Sequence, residues 1–573
     1  MGIPYQQAMP VGVERVAAWS KLLDHINVFP IPDGDTGRNL VITLAPLRRI
    51  DRDPQEICRD LLFSARGNAG NIAARFFYDF IQADSLDNLP KAIEQGREQA
   101  WKTVGDPQPG TMLTFFDALM DISKQEIGKV CAASVNRIIT HLEHAVLKTA
   151  EVQPVMKEAG IVDAGALGMF LFFDGFFNAL LGQVDSFRPV TSIFGDNLKL
   201  SPSFKNRLTQ GFCVDVVVRQ QEGLKKSYRD ISSEEENMVV FRDGDYVKIH
   251  LHTHDKERTR ERMTAFGDIL RWSDDDLHKQ TTAFSGFLKS PSIHIMTDAA
   301  ASITREDAQL LGITLLDSYI TIYDTSLPET CFTPFEVYDA MRKGIPVSTS
   351  QAPCVERYQY YQGVFSFYPR VLYLCVGSVF SGNYYAALKW KEEYDPENQL
   401  VLMDTFTASG RLGILATITA RYAMENDNPD DVIAFAHEAV QYCEEYIFID
   451  ELKYLAAGGR LSKTGAFIGD MIHMKPIISP QADGAKRVGM VRTPDDQVRF
   501  AFQKLGQFFD PDSTALIMLE YSDNRVWVEN RIAEEVAKRY PSAELIIKPI
   551  SLTTGVHTGP GTWAVAFVPE QKR

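Results

Sequence analysis

From about Val13 to Leu181 apolar residues recur every three or four positions, as in VERVAAWSKLLDHI, PQEICRDLLFSA and VNRIITHLEHAVLKTA. That is the spacing of a helix with one buried stripe, so this third of the chain reads as all-α. Its most apolar run, GALGMFLFFDGFFNALLG, carries Asp174 and Asn178 and is shorter than a membrane span; it reads as a buried helix. Around Arg188–Asn206 the pattern dissolves into Pro, Ser, Gly and Asn, which marks a boundary. Alternating segments follow, GFCVDVVVRQ and NMVVFRDGDYVKIHLHTH, with a helix KERTRERMTAFGDILRW after them, as expected of a small α+β unit. The polar stretch SDDDLHKQTTAFSGFLKSP reads as a coil linker, roughly 25 Å in span. From about Ser292 near-continuous apolar strands such as RVLYLCVGS and TALIMLEYS alternate with helical patterns, predicting an α/β fold with a largely parallel sheet covered on both faces. The expectation is a multidomain chain with units at 1–190, 207–275 and 290–573.

Composition narrows the function. A chain of 573 residues is too long for one core. With 59 basic against 75 acidic side chains the formal net charge is -16, which opposes non-specific binding to nucleic acid or to an anionic bilayer. Cys58, Cys131, Cys213, Cys331, Cys354, Cys375 and Cys443 are odd in number, scattered and without a C-x-x-C, as in a reducing compartment, and the expected location is cytoplasmic. The start, MGIPYQQAMPVGVERV, shows no charged lead followed by an apolar region, and Gln6 stands where myristoylation expects Ser or Thr.

The segment PDGDTG, residues 32–37, lies between helical patterns, and its proline and glycines make it a loop. Asp33 and Asp35 project from it and can converge on a hard cation such as Mg²⁺; the alternative is a capping turn with solvated aspartates. SARGNAGN and GIVDAGALG are small-residue breaks that each open an apolar helix. Exposed N–H groups at such a start favour phosphate, whereas close helix packing is the other use of small residues. In YVKIHLHTH, residues 246–254, alternation places Lys248, His250 and His252 on one strand face, with Cys213 on a neighbouring candidate strand. Imidazoles with a thiolate suit Zn²⁺; a polar solvent face is the alternative. In the last region Thr349, Ser381–Gly382, Arg460 and His557 fall at strand ends or helix starts, where hydroxyls, an arginine and a histidine would bind a carboxylate or phosphate.

NVFPIPDGDTGRN, SARGNAGNI, PGTMLT and PVMKEAGIVDAGALG together resemble the DhaL-type (dihydroxyacetone kinase L) domain, in the version found in the ATP-binding component of bacterial fatty acid kinase, over about residues 10–185. The resemblance implies an eight-helix barrel holding ATP through Mg²⁺, with Asp33 and Asp35 as metal ligands and catalytic groups. Asn27 stands about where related kinases have a third acidic ligand, and Thr36, Arg38, Asn39, Asn68, Gly70, Thr111 and Asp163 would surround the nucleotide. The chain departs from the pattern at Arg38 (usually Thr), Ala69 (usually Ser) and Pro109 (commonly Glu). GFCVDVVV with VKIHLHTHD is similar to the central domain of the same kinase component, which implies Zn²⁺ on Cys213, His250 and His252 and a functional part for the two histidines.

TDAAAS, STSQAP, FSGNY, LKYLAAGGRLS, MKPIIS and HTGPGTWAVAF look like DegV, the fatty acid-binding partner of that kinase, over about 292–570. By this resemblance Thr349 and Ser381, with Gly382, grip a fatty acid carboxylate, and Arg460 and His557 surround it. The implied function is transfer of the ATP γ-phosphoryl group to a long-chain fatty acid. The alternatives are a non-catalytic lipid-binding regulator with a degenerate nucleotide site, or a dihydroxyacetone-kinase-like enzyme acting on a small substrate. Expected partners are the fatty acid, a transient membrane or acyltransferase contact and a second copy of the chain, with no nucleic acid.

Overall fold

A computed structural model describes residues 5–49, 52–184, 187–220, 236–284, 291–458 and 474–569. It separates into two units, Met1–Ser285 with Val355–Gly363, and Gly286–Cys354 with Val364–Arg573.

The first unit begins with helices, as the apolar spacing predicts, from Tyr5–Ala18 to Ala164–Leu180. Helix Ala164–Leu180 is buried at every residue except Asn178, which explains why it is apolar all round. It lies against Tyr5–Ala18, where a Cβ on Gly175 would stand 2.9 Å from the Cα of Gly12. The one charge it brings inside, Asp174, meets Arg15 at 2.5 Å. No helix among the described residues is long and apolar enough to cross a membrane.

A four-stranded antiparallel sheet follows: β1 (Phe212–Arg219), β2 (Glu236–Asp243), β3 (Tyr246–Thr253) and β4 (Asp268–Asp276), in the order β2-β3-β1-β4. Val214, Val216, Val218, Val247, Ile249 and Leu251 form one buried face, packed with Met263 and Phe266 of helix Lys256–Phe266. Two expectations are corrected here. That helix stops at Phe266, and the stretch expected to be a linker supplies the end of β4 and the helix Leu277–Phe284. Strand β4 holds few apolar residues, since it is only partly buried; what makes it a strand is pairing to the open edge of β1, which no local pattern reports.

Among the described residues the second unit holds three sheets. Strands β5 (His294–Asp298), β6 (Ile313–Leu316), β7 (Ser318–Ile322), β8 (Thr325–Pro328), β9 (Val347–Gln351), β10 (Val371–Cys375) and β11 (Leu400–Asp404) supply two of them. The parallel sheet runs β11-β10-β5-β6 and the antiparallel one β8-β7-β9. The third is built from β12 (Glu444–Phe448), β13 (Lys475–Gln481), β14 (Gly484–Val491), β15 (Ala515–Tyr521), β16 (Glu544–Pro549) and β17 (Trp563–Pro569) in the order β14-β13-β12-β17-β15-β16. Only its β15–β16 pair is parallel, which corrects the expectation of one largely parallel sheet. Apolar runs report burial on both faces, and strands β12, β15 and β17 of this sheet reach that state mostly with antiparallel neighbours. Helix Ser409–Glu425 shares a core with both large sheets through Leu412, Leu415, Leu374, Met518 and Ala566.

Candidate active site

Proline and glycine break the chain before helix Thr36–Leu44, and the resulting loop draws in its own polar groups. Thr36 Oγ1 donates to Asn27 Oδ1 at 2.8 Å, while the Asn27 amide donates to Asp33. Both ends of Asn27 are thus engaged within the loop, as a brace beside the carboxylates. Gln280 Nε2, from the helix after β4, donates to Asp35 Oδ2 at 3.3 Å. Burial, and then the neighbouring Asp35 carboxylate, push Asp33 well above the usual carboxylate range. A buried carboxylate pushed up by a second one beside it fits a divalent cation, which would relieve the repulsion.

The other loops converge on the same space. Gly67 opens helix Gly67–Phe80 in a left-handed conformation, φ +59°, and a Cβ there would lie 2.3 Å from Asn39 Nδ2. Thr111 and Asp163 cap helices Met112–Glu126 and Ala164–Leu180, the latter by accepting from Ala166 N at 2.7 Å. Burial raises Asp163 to about 7. A cavity of about 1080 Å³ is lined by Asn27, Asp33, Asp35, Thr36, Asn39 and Asn68, and also by Thr111, Asp163, Cys213, His250 and His252. Two expected residues stand outside its wall. Gly70 packs against Thr43, where a Cβ would come within 2.3 Å of the hydroxyl, and Arg38 is set by its N–H to Asp24 at 3.2 Å.

The pairing of β1 with β3 sets Cys213 opposite His252 and Asp215 opposite His250. This polar strand face is buried rather than solvated: His250 is 0% exposed and Lys248 2%. Ligand atoms of Cys213, His250 and His252 lie within 4.8 Å of one another. Burial, then the neighbouring His250, lowers His252 to about 3, leaving a neutral ring, while burial and the nearby aspartates push the Cys213 thiol well up. His250 Nε2 is buried with no hydrogen-bond partner among the described residues. A thiol disfavoured as an anion and an orphaned ring nitrogen fit a soft cation such as Zn²⁺, which favours thiolate and imidazole.

In the second unit a cavity of about 420 Å³ gathers Thr349, Ser381, Gly382 and His557 at polar positions, with Val376, Phe380, Ile447, Leu455 and Ile478 among its apolar ones. Its size suits a small-molecule ligand. Thr349 Oγ1 and His557 Nε2 are 3.1 Å apart, and the Gln351 amide lies 3.2 Å from Ser381 Oγ. Arg460 falls outside the described residues. The sequence reading missed Asp298, at the end of β5. It accepts from Asn383 Nδ2 at 2.6 Å, Val376 N at 2.6 Å and Tyr373 OH at 2.8 Å, tying together the loops that present Val376 and Ser381. A lone carboxylate ending the apolar run SIHIMTD was the available signal.

Comparison with known proteins assigns three segments of the chain to family models. A DAK2 domain model matches residues 30–178, a model for the FakA-like middle domain of fatty acid kinase matches 209–284, and the model for uncharacterised proteins of the DegV family matches 292–570. One chain joins kinase-type and DegV-type domains. Protein YloV of Bacillus subtilis is 26% identical over 49% of this chain and 56% of its own length. An uncharacterized protein of Staphylococcus aureus is 26% identical over 47% of this chain and 54% of its own. The chain thus spans about half the length of the curated relatives it matches. Among solved structures, DegV of Bacillus subtilis, described as a fatty acid binding protein, is 21% identical with a TM-score of 0.45, covering 49% of this chain and all of its own. A DegV family protein from Thermus thermophilus, described by its fatty acid binding, is 20% identical with a TM-score of 0.45 over 48% of this chain and 99% of its own.

Proposed function

We propose that the chain is a fatty acid kinase: its first unit holds ATP with Mg²⁺, its second holds a long-chain fatty acid by the carboxylate, and the products are acyl phosphate and ADP. One observation carries the reading. A single cavity in the first unit is walled by the Asp33–Asp35 pair, the helix start at Gly67–Asn68, the capping residues Thr111 and Asp163, and the Cys213–His250–His252 trio. Carboxylates for a hard cation and N–H groups for phosphate are what triphosphate binding asks of a protein.

Asp33 and Asp35 would hold Mg²⁺, and Cys213, His250 and His252 would hold Zn²⁺. When bound, these cations supply positive charge against the phosphates. The chain's own work is placement. Asn27 and Thr36 fix the direction of the Asp33 carboxylate, the helix start after Gly67 presents Asn68 to the cavity, and Asp163 keeps the facing helix capped. In the second unit, Thr349, Ser381 and His557 would hold the lipid head, with the aliphatic chain among Val376, Phe380 and Ile478. A carboxylate already carries the attacking lone pair, so no strong base is required; the burden falls on alignment.

The test is to incubate the full chain with labelled ATP, Mg²⁺ and oleate and trap product with hydroxylamine. Hydroxamate that depends on oleate and Mg²⁺ supports the kinase. Bound lipid without hydroxamate favours the second reading, a lipid-binding regulator, to which Ala69 lends weight by giving the cavity wall a methyl and no hydroxyl.

A further inference from the structure

Asp215 is a charged residue in a run of valines, Val214 to Val218, on the inner strand β1 of the middle sheet, and it is 6% exposed. Burying a carboxylate is costly unless its oxygens are satisfied. Both are satisfied, and by two different parts of the molecule. From its own sheet Lys248 Nζ stands 3.2 Å and His250 Nδ1 3.4 Å from Oδ1. From the helical part Gly67 N donates to Oδ2 at 2.9 Å and Asn71 Nδ2 donates to Oδ1 at 2.9 Å. Asn71 Nδ2 also donates to Gly67 O at 2.7 Å, so the carboxylate and the amide together hold the first turn of the helix at Gly67 from both sides.

Lys248 alone would balance the charge. The bonds to Gly67 and Asn71 do something more: they fix a backbone in the left-handed region, at the point where Gly67 and Asn68 enter the cavity wall.

We propose that Asp215 is a positioning residue for nucleotide binding, acting through the Gly67–Asn71 turn, so that the middle sheet sets the geometry of the phosphate loop and holds His250 by the same carboxylate. This rests on the nucleotide reading above. An unanchored loop keeps its donors but samples many orientations, so the loss should appear in affinity for the nucleotide.

The test uses the full chain, a ribose-labelled fluorescent ADP with Mg²⁺, and the variants Asp215→Asn, Asn71→Ala and the double variant. Asp215→Asn should weaken binding about tenfold, as expected for loss of a charge-assisted contact. KM for ATP should rise with it, while co-purified fatty acid per chain stays the same. Asn71→Ala should weaken binding at least threefold, and the double variant should be little worse than Asp215→Asn, because both act through one contact. Folded Asp215→Asn or Asn71→Ala protein with unchanged affinity, or additive effects in the double variant, overturns the proposal. If Asp215→Asn does not fold, Asn71→Ala decides alone. A wild-type chain that binds no nucleotide sinks the kinase reading and this inference together; wild-type binding with indifferent variants sinks only the latter.

Discussion

The Thr349 hydroxyl and the His557 imidazole meet at 3.1 Å although 208 residues separate them. Strand β9 and the helix Leu552–Thr558 deliver them to the same cavity, which also takes in Ser381. Hydrogen bonds to a charged group are worth about 1.5–3 kcal/mol. Thr349→Val and Ser381→Ala should therefore each lower retained fatty acid about tenfold or more, measured by mass spectrometry of organic extracts. Retention equal to wild type in both would place the head group elsewhere.

Asp33→Ala and Asp35→Ala should abolish Mg²⁺-dependent nucleotide binding while co-purified lipid stays at the wild-type level. Chelating Mg²⁺ from the unaltered chain should have the same effect. Calorimetric titration with ADP reads both, and undiminished binding in either variant would remove that carboxylate from the metal site.

Cys213→Ala and His252→Ala should each lower the zinc content of purified protein from about one equivalent toward zero, by elemental analysis. Removing one of three protein ligands leaves too few to hold the ion. Zinc at full stoichiometry in both variants would return these residues to a packing role.

Glu329 is buried and bonded to Thr553 through both its backbone N–H and its hydroxyl, at 2.9 Å each. Burial raises it to about 8, from an ordinary 4.5. A folded-state value above the unfolded one means the native protein binds the extra proton. The group's contribution is therefore full below about pH 4.5 and is lost as pH rises through about 8, a change of a few kcal/mol at most. Glu329→Gln, which cannot ionise, should flatten the fall in stability between pH 5 and 8 in urea melts; an unchanged slope would count against it.

Asp298→Ala would strand three buried donors on Tyr373, Val376 and Asn383. The loss should be about 3 kcal/mol or more in chemical denaturation. A loss under 1 kcal/mol would mean that water or a rearranged loop satisfies them.

Several features of the fold are legible in the sequence. The helical region announced itself through spacing, because a helix with one wet face must repeat its apolar residues every three or four positions. The loops at Asp33, Gly67 and Asp163 stood out through residues that break helices, and all three reach one cavity. Asp215 was passed over because a carboxylate inside VDVVV has no partner in its own strand; its meaning lies in Gly67 and Asn71, about 145 residues away. Gly70 and Arg38 entered the expected site through the family resemblance; in the structure Gly70 packs against Thr43 and the Arg38 N–H bonds Asp24, both outside the cavity wall, contacts that no motif reports. The strand β4 hid behind its acidic composition, since its order comes from β1.

The helix Leu277–Phe284 looks like dispensable spacer in the sequence, yet it carries Gln280 to the Asp35 carboxylate. A truncation ending near residue 275 would therefore remove one support of the aspartate loop along with the apparent tether. Any loss in such a truncation would be credited to the missing DegV-type unit, when part of the cause would be a glutamine cut from the kinase-type one.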